Sequence, residues 1–169
     1  AQKPVDENWL KTDVPAEDAI CFALYTVSNS TLKMTAQLYP LDEGVDRVVK
    51  LQIKNNGTWE TIAATLVSEK FYGWPQEDKK QWTAHFRLEP WDSDRNIDYR
   101  LVAAGGKAKY EGIIRKDPVD KEEIVVAAFT GNGNYDRRLK PDIIRNIKAQ
   151  DPDLLFFSGD QSYDHQKHQ

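Results

Sequence analysis

The chain has one cysteine, Cys21, so no disulfide can form within it. Cys21 falls inside an apolar, strand-like run, where a thiol serves as a small core residue. A basic excess is also missing. Lysine and arginine number 23 against 27 aspartates and glutamates, for a formal net charge of −4, so nothing in the composition resembles a nucleic-acid binder, which needs a basic face. No apolar run approaches the roughly 20 residues that cross a bilayer as a helix. There is no nucleophile elbow, phosphate loop, zinc-knuckle spacing or heptad seam, no internal repeat and no low-complexity segment. No signal-peptide pattern is present either, yet the chain starts at Ala1 rather than Met, which points to a removed leader or a trimmed start. Asn29-Ser30-Thr31 and Asn56-Gly57-Thr58 match the N-glycosylation pattern, which also arises often by chance. The expected location is secreted or periplasmic.

What is present divides into two regions. From Ala19 to Lys116 strand signals recur at short intervals. Ala19–Val27 is apolar. In 32–39, Leu32, Met34, Ala36 and Leu38 face one way and Lys33, Thr35, Gln37 and Tyr39 the other. Val49, Leu51 and Ile53 alternate with Lys50, Gln52 and Lys54. The stretches 59–67, 81–88, 97–104 and 107–115 complete roughly seven strands. Asp42-Glu43-Gly44, Asn55-Asn56-Gly57 and Gly105-Gly106 supply the turns. This grammar predicts an antiparallel β-sandwich of fibronectin III or immunoglobulin type. Tyr99-Arg100-Leu101-Val102-Ala103 resembles the penultimate strand of such domains, where a tyrosine packs at a corner; equally, it is a plain amphipathic strand.

Asp117-Pro118-Val119-Asp120-Lys121-Glu122-Glu123 reads as a charged linker. Ile124–Phe129 and Leu154–Phe157 are continuous apolar runs, the pattern of strands buried on both faces of a parallel sheet. Between them Leu139, Ile143, Ile144 and Ile147 recur at helical spacing. Pro141 suits the first turn, Asp142 complements the helix dipole, and Asp151-Pro152 stops the helix. The expected domains are therefore a sandwich over 1–116, a linker over 117–123, and over 124–169 a partial α/β segment built as a βαβ unit. The whole is mainly β.

In a parallel strand–helix–strand unit, the loops after both strands lie at the same carboxyl edge, where α/β sheets bind ligands. Those loops carry Asn132, Asn134, Asp160 and Tyr163. A carboxylate can bridge two hard cations, a phenolate can ligate iron, and asparagine carbonyls are weaker oxygen ligands. By spacing alone, an aspartate capping a turn and a packed tyrosine account for the same residues.

Phe157-Ser158-Gly159-Asp160-Gln161-Ser162-Tyr163 resembles the second motif of the calcineurin-like metallophosphoesterases. In that motif a strand runs into Gly-Asp-x-x-Asp, or into Gly-Asp-x-x-Tyr in the purple acid phosphatase and alkaline phosphatase D branches. Both branches place a β-sandwich before the catalytic domain. The resemblance implies that Asp160 bridges two metals and Tyr163 ligates iron, with zinc, manganese or calcium beside it. A phosphate ester would be the substrate, cleaved by a metal-activated water. The first motif departs from the family. Thr130-Gly131-Asn132 stands where an aspartate-led motif or a cysteine is expected, and Gly131 has no donor, leaving Asn132 or Asn134 as weak substitutes. The family's later histidine motifs are absent. The expectation is thus an N-terminal fragment of a phosphoesterase, inactive alone because a carboxylate and a phenol cannot hold two metals. Its unpaired sheet edges and uncovered apolar face would invite self-association. The alternative is a non-catalytic binding or adhesion sandwich with a degenerate α/β remnant.

Weaker signals read as structure. Asp92-x-Asp94-x-Asn96-x-Asp98 opens like a calcium loop but has Ile97 where glycine is required and ends on Ala103 rather than glutamate. The aromatics Phe71, Tyr72, Trp74, Trp82 and Trp91 read as packing, and Glu77-Asp78-Lys79-Lys80 as a solvated turn. His85 reads as a structural strand residue, His165 and His168 as loop residues.

Overall fold

The structure, a computed structural model, describes residues 14–70, 80–131 and 140–159. Over these residues the chain is mainly β, in antiparallel sheets apart from one parallel pair. It divides into two compact units between Asp117 and Pro118.

The first unit holds eight strands: β1 (Ile20–Ser28), β2 (Thr31–Leu38), β3 (Val48–Asn55), β4 (Thr58–Leu66), β5 (Ser68–Lys70), β6 (Lys80–Leu88), β7 (Ile97–Ala103) and β8 (Ala108–Ile114). They form two four-stranded sheets, ordered β1-β2-β6-β5 and β4-β3-β7-β8. Every pairing in both is antiparallel. The alternation seen in the sequence sets which face is buried: Leu32, Met34, Ala36 and Leu38 of β2 are all buried, and so are Val49 and Leu51 of β3. Ile97, Tyr99, Leu101 and Ala103 of β7 join them, and residues of both sheets make one buried cluster.

Two hairpins are closed by two-residue turns with both residues left-handed, Asn29-Ser30 (φ 49° and 53°) and Asn56-Gly57 (φ 48° and 82°). This twist matches that of the flanking strands, and asparagine tolerates it. The asparagines of both glycosylation matches are thus turn residues, and their threonines, Thr31 and Thr58, open the next strands. The short edge strand β5 has no counterpart in the sequence reading.

Tyrosine ties the sheets at one side. The Tyr25 hydroxyl donates to the Ile113 carbonyl (3.0 Å) and accepts from the Arg115 amide (2.9 Å). Tyr99 lies edge-on to Tyr25, ring centroids 6.4 Å apart. Its ring also covers Gly112 so closely that a Cβ there would sit 2.7 Å from a ring carbon. Burial pushes the Tyr99 phenol well above its ordinary pKa, with Tyr110 and Tyr25 adding to the effect. Of the two tyrosines, the one bonded across to distant backbone is therefore Tyr25 on β1.

The second unit contains β9 (Val126–Phe129), α1 (Pro141–Gln150) and β10 (Leu154–Phe157). Pro141 occupies the first helical turn, Asp142 follows it, and Asp151 ends the helix in the left-handed conformation (φ 45°). β9 and β10 pair in parallel, Val126 beside Leu154 through Phe129 beside Phe157.

Burial here departs from the sequence reading. Val126, Leu154, Leu155, Phe156 and Phe157 are each 48–53 % exposed, where strands buried on both faces are expected, and β9 begins two residues later than Ile124. Two strands and one helix cannot cover both faces of a sheet, and among the described residues nothing else in this unit does so.

Candidate functional site

Asp153 sets the register of the parallel pair. Its carboxylate, 3 % exposed, accepts from the Val125 amide (3.1 Å) and pairs with Lys121. The Val125 carbonyl in turn accepts from the Asp153 amide (2.8 Å). An aspartate after Pro152 thus joins the starts of both strands, a role the sequence reading missed because it needs the pairing to be known.

At the other end, the Phe129 carbonyl accepts from the Ser158 amide (3.0 Å) and from its hydroxyl (3.1 Å). The Phe129 and Phe157 rings stack at 4.9 Å. Both strands therefore finish side by side, and each runs into a glycine with positive φ: Gly131 at 55° and Gly159 at 107°. The Gly159 value lies where side chains are rarely tolerated, so the residue before Asp160 has to be glycine. At Gly131 a Cβ would meet no atom within 4 Å, but its left-handed backbone would strain any side chain placed there.

The residues expected to bind metal, Asp160, Tyr163 and Asn132, lie outside the described residues, as do Asn134, His165 and His168. So do Phe71, Tyr72 and Trp74. Among the described residues, no group of three or more histidine, cysteine, aspartate or glutamate side chains could hold a metal. At this edge the described residues are two strand ends in register and two glycines with positive φ.

Elsewhere the minor signals resolve as contacts. The His85 ring lies 3.0 Å from the hydroxyls of both Thr35 and Thr83. Asp92 pairs with Arg95 (2.6 Å) and caps the Asp94 amide, and hydrogen bonding to Arg95 holds its carboxyl below the usual value. Asn96 accepts from the Lys116 amide. Trp82 and Trp91 are buried, with the Arg47 guanidinium 4.7 Å from the centre of the Trp82 ring. Cys21 is half-buried, and burial raises its thiol pKa. No helix among the described residues is long and apolar enough to cross a membrane.

Comparison with protein-family models, with curated proteins and with solved structures finds no match to this chain.

Proposed function

We propose that the chain joins an immunoglobulin- or fibronectin-type sandwich to the opening βαβ of a calcineurin-like metallophosphoesterase domain. The parent protein hydrolyses phosphate esters at a two-metal centre, with Asp160 as the bridging ligand and Tyr163 on iron. The observation that carries this reading is the parallel register of β9 and β10. It starts the loops bearing Asn132 and Asp160 from adjacent positions at one sheet edge, where such domains bind ligands.

The strand orders support the sandwich part. β1-β2-β6-β5 and β4-β3-β7-β8 follow the A-B-E-D sheet and the C-F-G sheet of immunoglobulin domains, the latter extended by one C′ strand. The apolar exposure of β9 and β10 supports the other part, because parallel sheets are stable when helices cover both faces. The donors fit only in part. Asp160 and Tyr163 offer oxygen ligands suited to iron, Gly131 offers none, and a second metal needs donors beyond these.

The test is expression from the complete reading frame, followed by metal analysis and turnover of bis(4-nitrophenyl) phosphate. Bound metal, chelator-sensitive turnover and a loss of at least about 100-fold in Asp160→Asn are expected, the size of losing a main electrostatic contributor. Metal-free protein, or an Asp160→Asn variant as active as the parent, leaves the sandwich as a binding module.

A further inference from the structure

One end of the outward face of the β1-β2-β6-β5 sheet is lined by hydrogen-bond donors with no carboxylate among them. Thr26, Ser28, Asn29, Thr31, Lys33 and Arg87 surround a depression of about 250 Å³. The register sets Thr26 opposite Lys33 and Lys33 opposite Arg87. Two cations therefore face each other across neighbouring strands, an arrangement that destabilises an antiparallel pair. Glu89 offsets Arg87 at 2.8 Å. Lys33 makes no ion pair among the described residues. The cost is not explained by packing, since both side chains are exposed on the outward face, and it runs against a chain of net charge −4.

The depression is also held in shape. It borders the Asn29-Ser30 turn, whose left-handed backbone is fixed on one side by the strand pairing. On the other, the Ser30 carbonyl accepts from the Trp91 amide (2.8 Å). The hydroxyls of Thr26 and Ser28, the Asn29 amide and the Lys33 ammonium present donors to this depression, while the Thr31 hydroxyl donates to the Asn29 carbonyl (3.4 Å) and Arg87 keeps further guanidinium donors beside its pair with Glu89. The group that satisfies them together, and relieves the opposed charges, is a tetrahedral oxyanion.

We infer that this end of the sheet is an oxyanion-binding site, taking the phosphate or sulfate group of a small-molecule ester. The site does not depend on the phosphoesterase reading. The experiment is an amide NMR titration of the chain with inorganic phosphate and, separately, with inorganic sulfate at constant ionic strength. Saturable shifts confined to residues 26–33 and 86–88 are expected. Lys33→Ser weakens binding roughly tenfold, as loss of one charged hydrogen bond does, and leaves the Tm unchanged or raised, because the opposed charge is gone. Asp160→Asn leaves both titrations unaltered, which separates this site from the metal loops. Tighter binding of phosphate assigns a phosphate ester, and tighter binding of sulfate a sulfate ester. Equal binding supports the oxyanion site for both. Linear, unsaturating shifts with both anions, or saturation untouched by Lys33→Ser, overturn the inference.

Discussion

The two units treat the same kind of residue in opposite ways. In the first, Leu51 and Leu101 are fully buried between two sheets; in the second, Leu154 and Leu155 are each 48 % exposed on a two-stranded sheet. Both regions are apolar and strand-forming in sequence. Eight strands can close two faces on one another and bury their inward residues. Two parallel strands with one helix leave apolar surface in water, and hydrogen bonds such as those of Asp153 set their register without burying them. Apolar sequence thus becomes stability only where a second layer exists to receive it.

The contrast can be broken most directly by truncating side chains in each unit. Leu51→Ala should cost about 2–5 kcal/mol in urea unfolding, the range for a large-to-small change at a fully buried site. Leu155→Ala should cost about 0.5 kcal/mol or less, as exposed substitutions do. Equal losses would mean that the second unit has a core of its own. Gly112→Ala comes next. The new methyl group meets the Tyr99 ring at 2.7 Å, and forcing that ring aside should cost about 1–3 kcal/mol. Tyr25→Phe removes the bonds to the Ile113 carbonyl and the Arg115 amide and should cost about 1–2 kcal/mol by leaving both groups without the hydroxyl; an unchanged denaturation midpoint would show that the tie between β1 and β8 contributes nothing.

The smallest effect is electrostatic. Hydrogen bonding to Lys80 holds the Glu69 carboxyl below its ordinary pKa, with the charges of Lys80 and Arg47 acting in the same direction. A lowered carboxylate stabilises the fold above the unfolded pKa, and that contribution is lost as pH falls through the folded value. The Tm advantage of the parent chain over Glu69→Gln should therefore be small at neutral pH and vanish in acid, since exposed pairs contribute little. A gap that widens in acid would reverse the assigned sign.

Much of the first unit was legible in sequence because its strands are half-buried, and half-burial writes a period of two into the chain. Leu32, Met34, Ala36 and Leu38 announce both the strand and its inward face. What stayed hidden depended on partners far away in sequence. Lys33 and Arg87 oppose each other only once the β2–β6 register is known. Tyr25 looks like any aromatic until β8 arrives beside it, which is why Tyr99 drew the attention instead. Asn29-Ser30 matches a modification pattern and serves as a turn. In the second unit, the continuous apolar runs gave the right strands; they are the pattern of strands buried on both faces, but periodicity reports what a strand could bury and not whether a cover is present, and the exposed face is the one a partial βαβ leaves uncovered. Pro141 and Asp151 marked the helix ends by local chemistry alone. Asp160, Tyr163 and Asn132 rest on sequence resemblance, and the strand ends and glycine turns before them are what the fold adds.

Native-state amide hydrogen exchange on the whole chain tests the central contrast most directly. Amides of β2, β3 and β7 should exchange only through global unfolding, whereas those of β9 and β10 should exchange orders of magnitude faster through local opening. Protection of β9 and β10 equal to that of β3 would contradict the account, since it would show the second unit to be as fully stabilised as the first.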